Sequence, residues 1–137
     1  MSNWKDSERN LETIEFSWIE LASSTTDANI MTFNNDSFPC PRRGYIKAVS
    51  YVLSEALTAG AVTIRPSING TEVAASTSLN HSLDSTSALR DKNVTSSADP
   101  NYTFQEDDYL QLLITSDASL APNDTITLSV YVVVVYQ

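Results

Sequence analysis

The stretch TITLSVYVVVVYQ, residues 125–137, alternates its side chains with a period of two. Successive residues of a β-strand point to opposite faces, so this period predicts a strand with one face in a core. The apolar face carries six residues: Ile126, Leu128, Val130, Val132, Val134 and Tyr136. The opposite face begins polar and ends apolar: Thr127, Ser129, Tyr131, Val133 and Val135.

The second face of this strand predicts a subunit interface. An exposed row of Tyr131, Val133 and Val135 would be a sticky patch on a monomer, and such patches mark interaction sites. The alternative is that the N-terminal segment around Trp4 covers the end of the strand, so that both faces are buried within one chain.

The same period recurs in four other segments, at residues 11–21, 45–53, 61–68 and 109–116. The run from Gly44 to Leu57 also has apolar residues at helical spacing. Its β-branched and aromatic residues, with glycines at both ends, favour a strand. Pro66 lacks a backbone donor and predicts an edge or a bulge at that point. The pair Asn69–Gly70 predicts a tight turn because both residues tolerate positive φ.

The remaining segments complete an all-β chain. A short strand is predicted at Asn29–Phe33, and the polar stretch 74–101 is expected to hold one or two short edge strands. The total of about seven or eight strands predicts an antiparallel β-sandwich, jelly-roll-like or immunoglobulin-like. A single cysteine excludes the disulfide core of an immunoglobulin domain. Long strands near both ends favour the jelly roll, in which the first and last strands share one sheet.

By length the chain is one domain, predicted over residues 11–137, with residues 1–10 as an N-terminal arm. The formal net charge of −9 opposes binding to nucleic acid and to anionic membranes. The longest apolar run, Val130–Tyr136, is far shorter than the roughly 20 residues of a membrane helix. The N-terminal residues contain no apolar core of a secretory signal.

The chemistry-bearing residues do not form a recognisable catalytic motif, so we predict that the chain is not an enzyme. The single histidine, His81, is interpreted as a solvated loop residue. Cys40 is interpreted as a small apolar filler, although Arg42 and Arg43 nearby could lower its pKa.

Metal and cofactor sites are not predicted either. One histidine and one cysteine cannot supply a zinc site. The acidic stretch Glu106–Asp108 is a calcium candidate, but a charged turn is the favoured interpretation. The chain has three glycines and no glycine-rich phosphate-binding motif, so no cofactor is expected.

Two stretches carry a resemblance to a known group of proteins: GYIKAVSYVLSEALTAGAVTIRPSINGTEV at residues 44–73 and YTFQEDDYLQLLITSDASLAPNDTITLSVYVVV at residues 102–134. Their shared features are a TAG turn, a strand ending in NGT, an acidic turn before YLQL, a PND turn and a terminal valine-rich strand. With these features the chain resembles small β-sandwich virion proteins of tailed bacteriophages. That group includes capsid decoration (cement) proteins and the head modules of tail and baseplate proteins.

The resemblance implies a structural virion protein that decorates and stabilises an assembled capsid. It implies a protein made in the host cytoplasm and placed on the capsid surface, with the major capsid protein as partner and a homo-oligomer, most simply a trimer. The predicted arm would contribute Trp4 and Arg9 to the contacts, since buried Trp and Arg are frequent hot spots. The alternative is a receptor- or glycan-binding module of a tail fibre or baseplate, for which Tyr102 beside Asn101 and Asp99 is the best grouping.

Overall fold

The computed structural model describes residues 10–18, 21, 23–24, 28–29, 38–73, 78–95 and 99–137. Trp4, Arg9 and all of the predicted arm except Asn10 lie outside these residues, as does most of the predicted strand Asn29–Phe33. The described part of the chain forms strands and one short 3-10 helix, Pro100–Tyr102. The strands are β1 Leu11–Trp18, β2 Ala28–Asn29, β3 Phe38–Pro39, β4 Gly44–Leu53, β5 Val62–Ile68, β6 Thr71–Glu72, β7 His81–Leu83, β8 Arg90–Val94, β9 Thr103–Phe104, β10 Tyr109–Ser116 and β11 Leu128–Tyr136.

These strands form two antiparallel sheets packed face to face, which confirms the predicted sandwich. The five-stranded sheet has the order β1-β11-β4-β8, with β9 also on β4, and the six-stranded sheet has the order β2-β10-β5-β6, with β3 on β10 and β7 on β5. Two short strands pair with the same long strand in three places: β8 and β9 with β4, β2 and β3 with β10, and β6 and β7 with β5. If each such pair is counted as one interrupted strand, the fold has eight strand positions, four in each sheet. Numbered in chain order, the eight positions have the order 1-8-3-6 in the five-stranded sheet and 2-7-4-5 in the six-stranded sheet. This is the strand order of a jelly roll.

The terminal strand lies in the middle of the five-stranded sheet, paired with β1 on one side and β4 on the other. The first and last strands thus share a sheet, as predicted. The six residues predicted on the inner face of the last strand are all buried, including Val132 and Val134. Each fully buried valine contributes about 1.5–3 kcal/mol relative to exposure, so this strand anchors the core.

The segment with both strand and helix periodicity is a strand, β4, as favoured. Its register with β11 shifts at one point, where Val133 pairs with Ala48 and Val134 pairs with Ile46. Lys47 is therefore the extra residue of a β-bulge, and such residues bend and twist a strand. The bulge explains why the neighbours Ala48 and Val49 are both buried although a regular strand would alternate.

Pro66 lies at a local edge of the six-stranded sheet, as predicted. Along the side of β5 away from β10, β7 covers Val62–Ile64 and β6 covers Ser67 and Ile68. The carbonyl of Pro66 accepts a bond from the Val73 amide at 3.4 Å on that side. Because the nitrogen of a strand residue points the same way as its carbonyl, the missing donor of Pro66 falls in the gap between the two short strands.

The predicted turn at Asn69–Gly70 closes the β5–β6 hairpin, with φ of 56° and 78° at the two residues. Positive φ at both positions is the geometry for which Asn-Gly is preferred. No helix in the described ranges is long and apolar enough to cross a membrane.

Candidate interaction surface

The outer face of the five-stranded sheet is the candidate functional surface. Strand register places its residues in four rows that cross β1, β11 and β4 and end on β8 or β9, since directly paired residues share a face. The first row is Leu11, Val135, Tyr45 and Thr103, and the second is Thr13, Val133, Ala48 and Val94. The third row is Glu15, Tyr131, Ser50 and Lys92, and the fourth is Ser17, Ser129, Val52 and Arg90.

The first two rows form what we call the apolar half of this face. Leu11 and Val94, at the two margins, leave 46% and 49% of their surface exposed. Val133, Val135 and Tyr45 between them are half-buried by their strand neighbours. The paired residues of these two rows are uncharged, but the bulge residue Lys47 lies next to Ala48 on the strand opposite Val133. An apolar area on the outside of a sheet is a candidate site of protein contact.

The third and fourth rows form the charged half. Glu15 on β1 is exposed at one margin, and Lys92 and Arg90 on β8 are exposed at the other. A shallow depression of about 280 Å³ lies along the β8 margin, lined by Ser50, Tyr51, Val52, Arg90, Asp91 and Lys92. The face thus has an acidic residue at one margin and two basic residues at the opposite margin.

The three interface residues predicted from the terminal strand lie together on this outer face. Tyr131, Val133 and Val135 are all half-buried within the chain. Trp4 and Arg9, the other two predicted interface residues, lie outside the described residues. The role of all five in a subunit contact stays a prediction.

His81 is not a solvated loop residue, and that prediction was wrong. The side chain is only 5% exposed and belongs to β7. Leu79 and Leu83, two residues before and after it, are also buried, while Ser82 is exposed. The alternation of Leu79, His81 and Leu83 was therefore the signal in the sequence, hidden among serine and asparagine residues.

Both ring nitrogens of His81 have partners in the other sheet. Nε2 lies 2.8 Å from the carbonyl oxygen of Val49, which can only accept, so Nε2 carries the proton. Nδ1 lies 3.4 Å from Nδ2 of Asn93, and that amide nitrogen also donates to the Asn80 carbonyl at 2.8 Å. The ring stands edge-on to Tyr51, with 4.9 Å between the ring centroids. The ring of His81 is therefore held by contacts within the core. This is the role of a structural residue and not of a catalytic base.

Cys40 is buried in the core, which confirms its interpretation as an apolar filler. Burial raises the pKa of its thiol to about 12, with Asp108 and Glu12 adding to the increase. Arg42 and Arg43 therefore do not activate this residue. Arg42 lies instead over the ring of Tyr136, 5.7 Å from its centroid.

The prediction that Tyr102, beside Asn101 and Asp99, could bind a sugar is also wrong. Tyr102 has no exposed surface, and its hydroxyl accepts a bond from the Leu79 amide at 3.3 Å. Asp99 accepts the amide of Asn101 at 2.9 Å and caps the short 3-10 helix. The aromatic ring is thus a core residue and cannot stack on a glycan.

The acidic turn before β10 is tied to the hairpin turn. Asp108 accepts a bond from Nδ2 of Asn69 at 2.9 Å and from the amide of Gln105 at 2.7 Å. These two bonds lower the pKa of the Asp108 carboxyl. Asn69 in turn accepts the amide of Tyr109 at 2.9 Å. This geometry fits the charged-turn interpretation, and the described ranges contain no cluster of three residues suited to a metal ion.

Comparison with known proteins gives matches of fold. No family model and no curated protein matches the chain. A chain from the acidic stable capsid structure of Helicobacter pylori bacteriophage KHP30 is similar over 91% of this chain and 86% of its own length, with a TM-score of 0.50 and 7% identity. At that identity the likeness shows a shared fold alone.

Two further solved structures are similar at lower scores. They are a human norovirus GI.7 Houston strain VLP (TM-score 0.46, 12% identity, 99% of this chain and 32% of that one) and the native virion of Kashmir bee virus at neutral pH (TM-score 0.40, 14% identity, 90% of this chain and 68% of that one).

Proposed function

We propose that this chain is a structural protein of a virus particle and acts through protein–protein contacts. The observation that carries the proposal is a jelly roll whose central strands turn an apolar half outward, at Val133, Val135 and Tyr45. The viral capsid structure with the same fold supports the setting. Folds host many functions, so the interaction face carries more weight than the fold.

The more specific form of the proposal is a decoration protein. It is made in the host cytoplasm, binds the major capsid protein at the capsid surface and stabilises the shell. The chain acts as a homo-oligomer, proposed to be a trimer, through Tyr131, Val133 and Val135. Residues 1–10, with Trp4 and Arg9, are proposed to be an arm that reaches a neighbouring capsid subunit.

A non-enzymatic role is supported by the residues that a catalytic site would use. Within the described ranges, His81 and Cys40 are both engaged in the interior. The burial of Tyr102 removes the grouping that favoured the alternative, a glycan- or receptor-binding module of a tail fibre or baseplate.

The composition of purified virus particles tests the proposal. Quantitative mass spectrometry should find this chain in intact particles at hundreds of copies, as a shell protein requires. A few copies per particle would point to a tail or baseplate module, and absence from the particles would overturn the proposal.

Deleting residues 1–10 tests the proposed arm. The truncated protein should keep its fold, because β1 begins at Leu11, and should bind particles more weakly. Unchanged binding, measured by co-sedimentation with particles that lack the protein, would contradict a role for the arm.

A further inference from the structure

The two margins of the outer face are complementary in charge, and we propose that they meet between copies of this chain. In the assembly the β1 margin of one copy packs against the β8 margin of the next, with Glu15 of the first beside Lys92 of the second. This inference rests on the proposed function, in which the sheet that carries the outer face makes the subunit contact, and it adds a contact between the two edges of that sheet.

Glu15 and Lys92 occupy opposite ends of one row within a copy. β1 and β8 are separated by two intervening strands, β11 and β4. Three strand spacings amount to about 14 Å, too far for an ion pair between these two side chains within one copy. The same row in an adjacent copy brings them together, because the acidic end of one row then meets the basic end of the other.

The directions of the strands allow this contact. Each neighbouring pair in the order β1-β11-β4-β8 is antiparallel, so β8 runs opposite to β1. A second copy placed beside the first, with its outer face on the same side and its strands running in the same direction, would therefore set its β1 antiparallel to β8 of the first. The rows then continue across the boundary, with Thr13 beside Val94, Glu15 beside Lys92 and Ser17 beside Arg90.

The apolar half also has a partly exposed residue at each of its two margins. Leu11 on β1 and Val94 on β8 are both close to half exposed and lie at opposite margins. A contact between unlike margins covers both of these residues at each boundary. Contacts of this head-to-tail kind close into a ring only when each copy is rotated relative to the last by the angle that closes it, which is 120° for the proposed trimer.

The overall charge makes the orientation selective. The chain carries a formal charge of −9 and only eight Lys and Arg residues, so most of its surfaces repel a second copy. Two of those basic residues, Arg90 and Lys92, stand on the β8 margin next to the depression of about 280 Å³. The β8 margin is thus suited to receive an acidic margin such as that of β1, since like charges placed opposite each other oppose association.

Charge reversal and restoration test the orientation. Glu15→Lys and Lys92→Glu should each weaken self-association, by about tenfold per contact at low salt, and the double variant should restore it. Sedimentation velocity over a concentration series gives the association constants. Raising the salt to 1 M shortens the Debye length to about 3 Å and should bring the single variants close to the wild type.

Glu106→Lys is the matched control for Glu15→Lys, because it makes the same charge change at an exposed turn between β9 and β10, outside the four rows. It should leave association unchanged. If Glu15→Lys and Lys92→Glu also leave it unchanged, or if the double variant is no stronger than the singles, the proposed orientation is wrong. If the charge variants have no effect but the Val133→Lys, Val135→Lys double variant dissociates the oligomer, the outer face remains the interface. Only the proposed contact between the β1 and β8 margins is then wrong. A wild-type protein that stays monomeric at every concentration contradicts both.

Discussion

The Nε2–H group of His81 donates to the carbonyl oxygen of Val49 at 2.8 Å, and this bond joins the two sheets. His81 lies on β7 in the six-stranded sheet, and Val49 lies on β4 in the five-stranded sheet. The bond is buried, and a hydrogen bond of this kind typically contributes about 0.5–1.5 kcal/mol to stability, so the single histidine of the chain helps to hold the two sheets together.

Replacing His81 with alanine should therefore destabilise the fold. We expect a loss of about 2–4 kcal/mol, because the change leaves a cavity beside Tyr51 and removes the buried hydrogen bond to Val49. Urea unfolding followed by circular dichroism measures the free energy. Ser82→Ala, on the exposed face of the same strand, is the control and should change stability by less than about 0.5 kcal/mol. Equal stability of the two variants would show that the His81 bond contributes nothing.

The valines of the terminal strand should separate by face. Lysine at Val133 and Val135 should give a folded protein that no longer self-associates, because the core is untouched. Lysine at Val132 and Val134 should abolish folding, because two charges would enter a dry core. Size-exclusion chromatography with light scattering and circular dichroism distinguish the outcomes. A Val133 and Val135 variant that keeps its oligomeric state would place the interface elsewhere.

Cys40 should be inert in the folded protein. Its pKa of about 12 leaves almost no thiolate at pH 8, and the side chain is buried. A thiol reagent such as iodoacetamide should therefore label it only in urea, at a rate typical of an exposed cysteine. Labelling in the absence of urea at a comparable rate would mean that the segment around Cys40 opens readily.

Asp108 should make stability depend on pH in the acid range. Its pKa is lowered in the folded state, so the carboxylate contributes stability above the unfolded pKa of about 4, and this stability is lost as the pH falls through the folded value. Asp108→Asn should be less stable than the wild type at pH 7, and the difference should shrink below about pH 4. Urea unfolding at several pH values tests this, with Glu106→Gln as the control. A difference that is constant with pH would exclude the carboxylate as the cause.

The long strands could be predicted from the sequence because each has one face in the core. In β10, for example, the alternation of Leu110, Leu112 and Ile114 matches their burial. The position of Pro66 at a local sheet edge could also be predicted, because a residue without a backbone donor fits only where no ladder bond is needed. In both cases the information is local, within a few residues of the strand.

The interior polar contacts and the rows of the outer face could not be predicted in this way. His81 belongs to a strand of three residues, too short for its period to stand out from the polar stretch around it. Glu15 and Lys92 share a row only because β1, β11, β4 and β8 pair in a particular register, which depends on contacts between distant parts of the chain. The single histidine was therefore interpreted as a loop residue. The opposite charges at the β1 and β8 margins could not be predicted from the sequence.

Immunogold labelling of intact virus particles tests the central claim, that this chain is a structural protein of the shell, most directly. An antibody raised against the exposed turn at Asn69–Gly70 should be used, because this turn closes a hairpin of the other sheet and lies apart from the four rows of the proposed interface. We predict an even distribution of gold over the particle shell, and none over particles made without this chain. Labelling confined to a tail end, or no labelling of particles that contain the chain, would contradict the account.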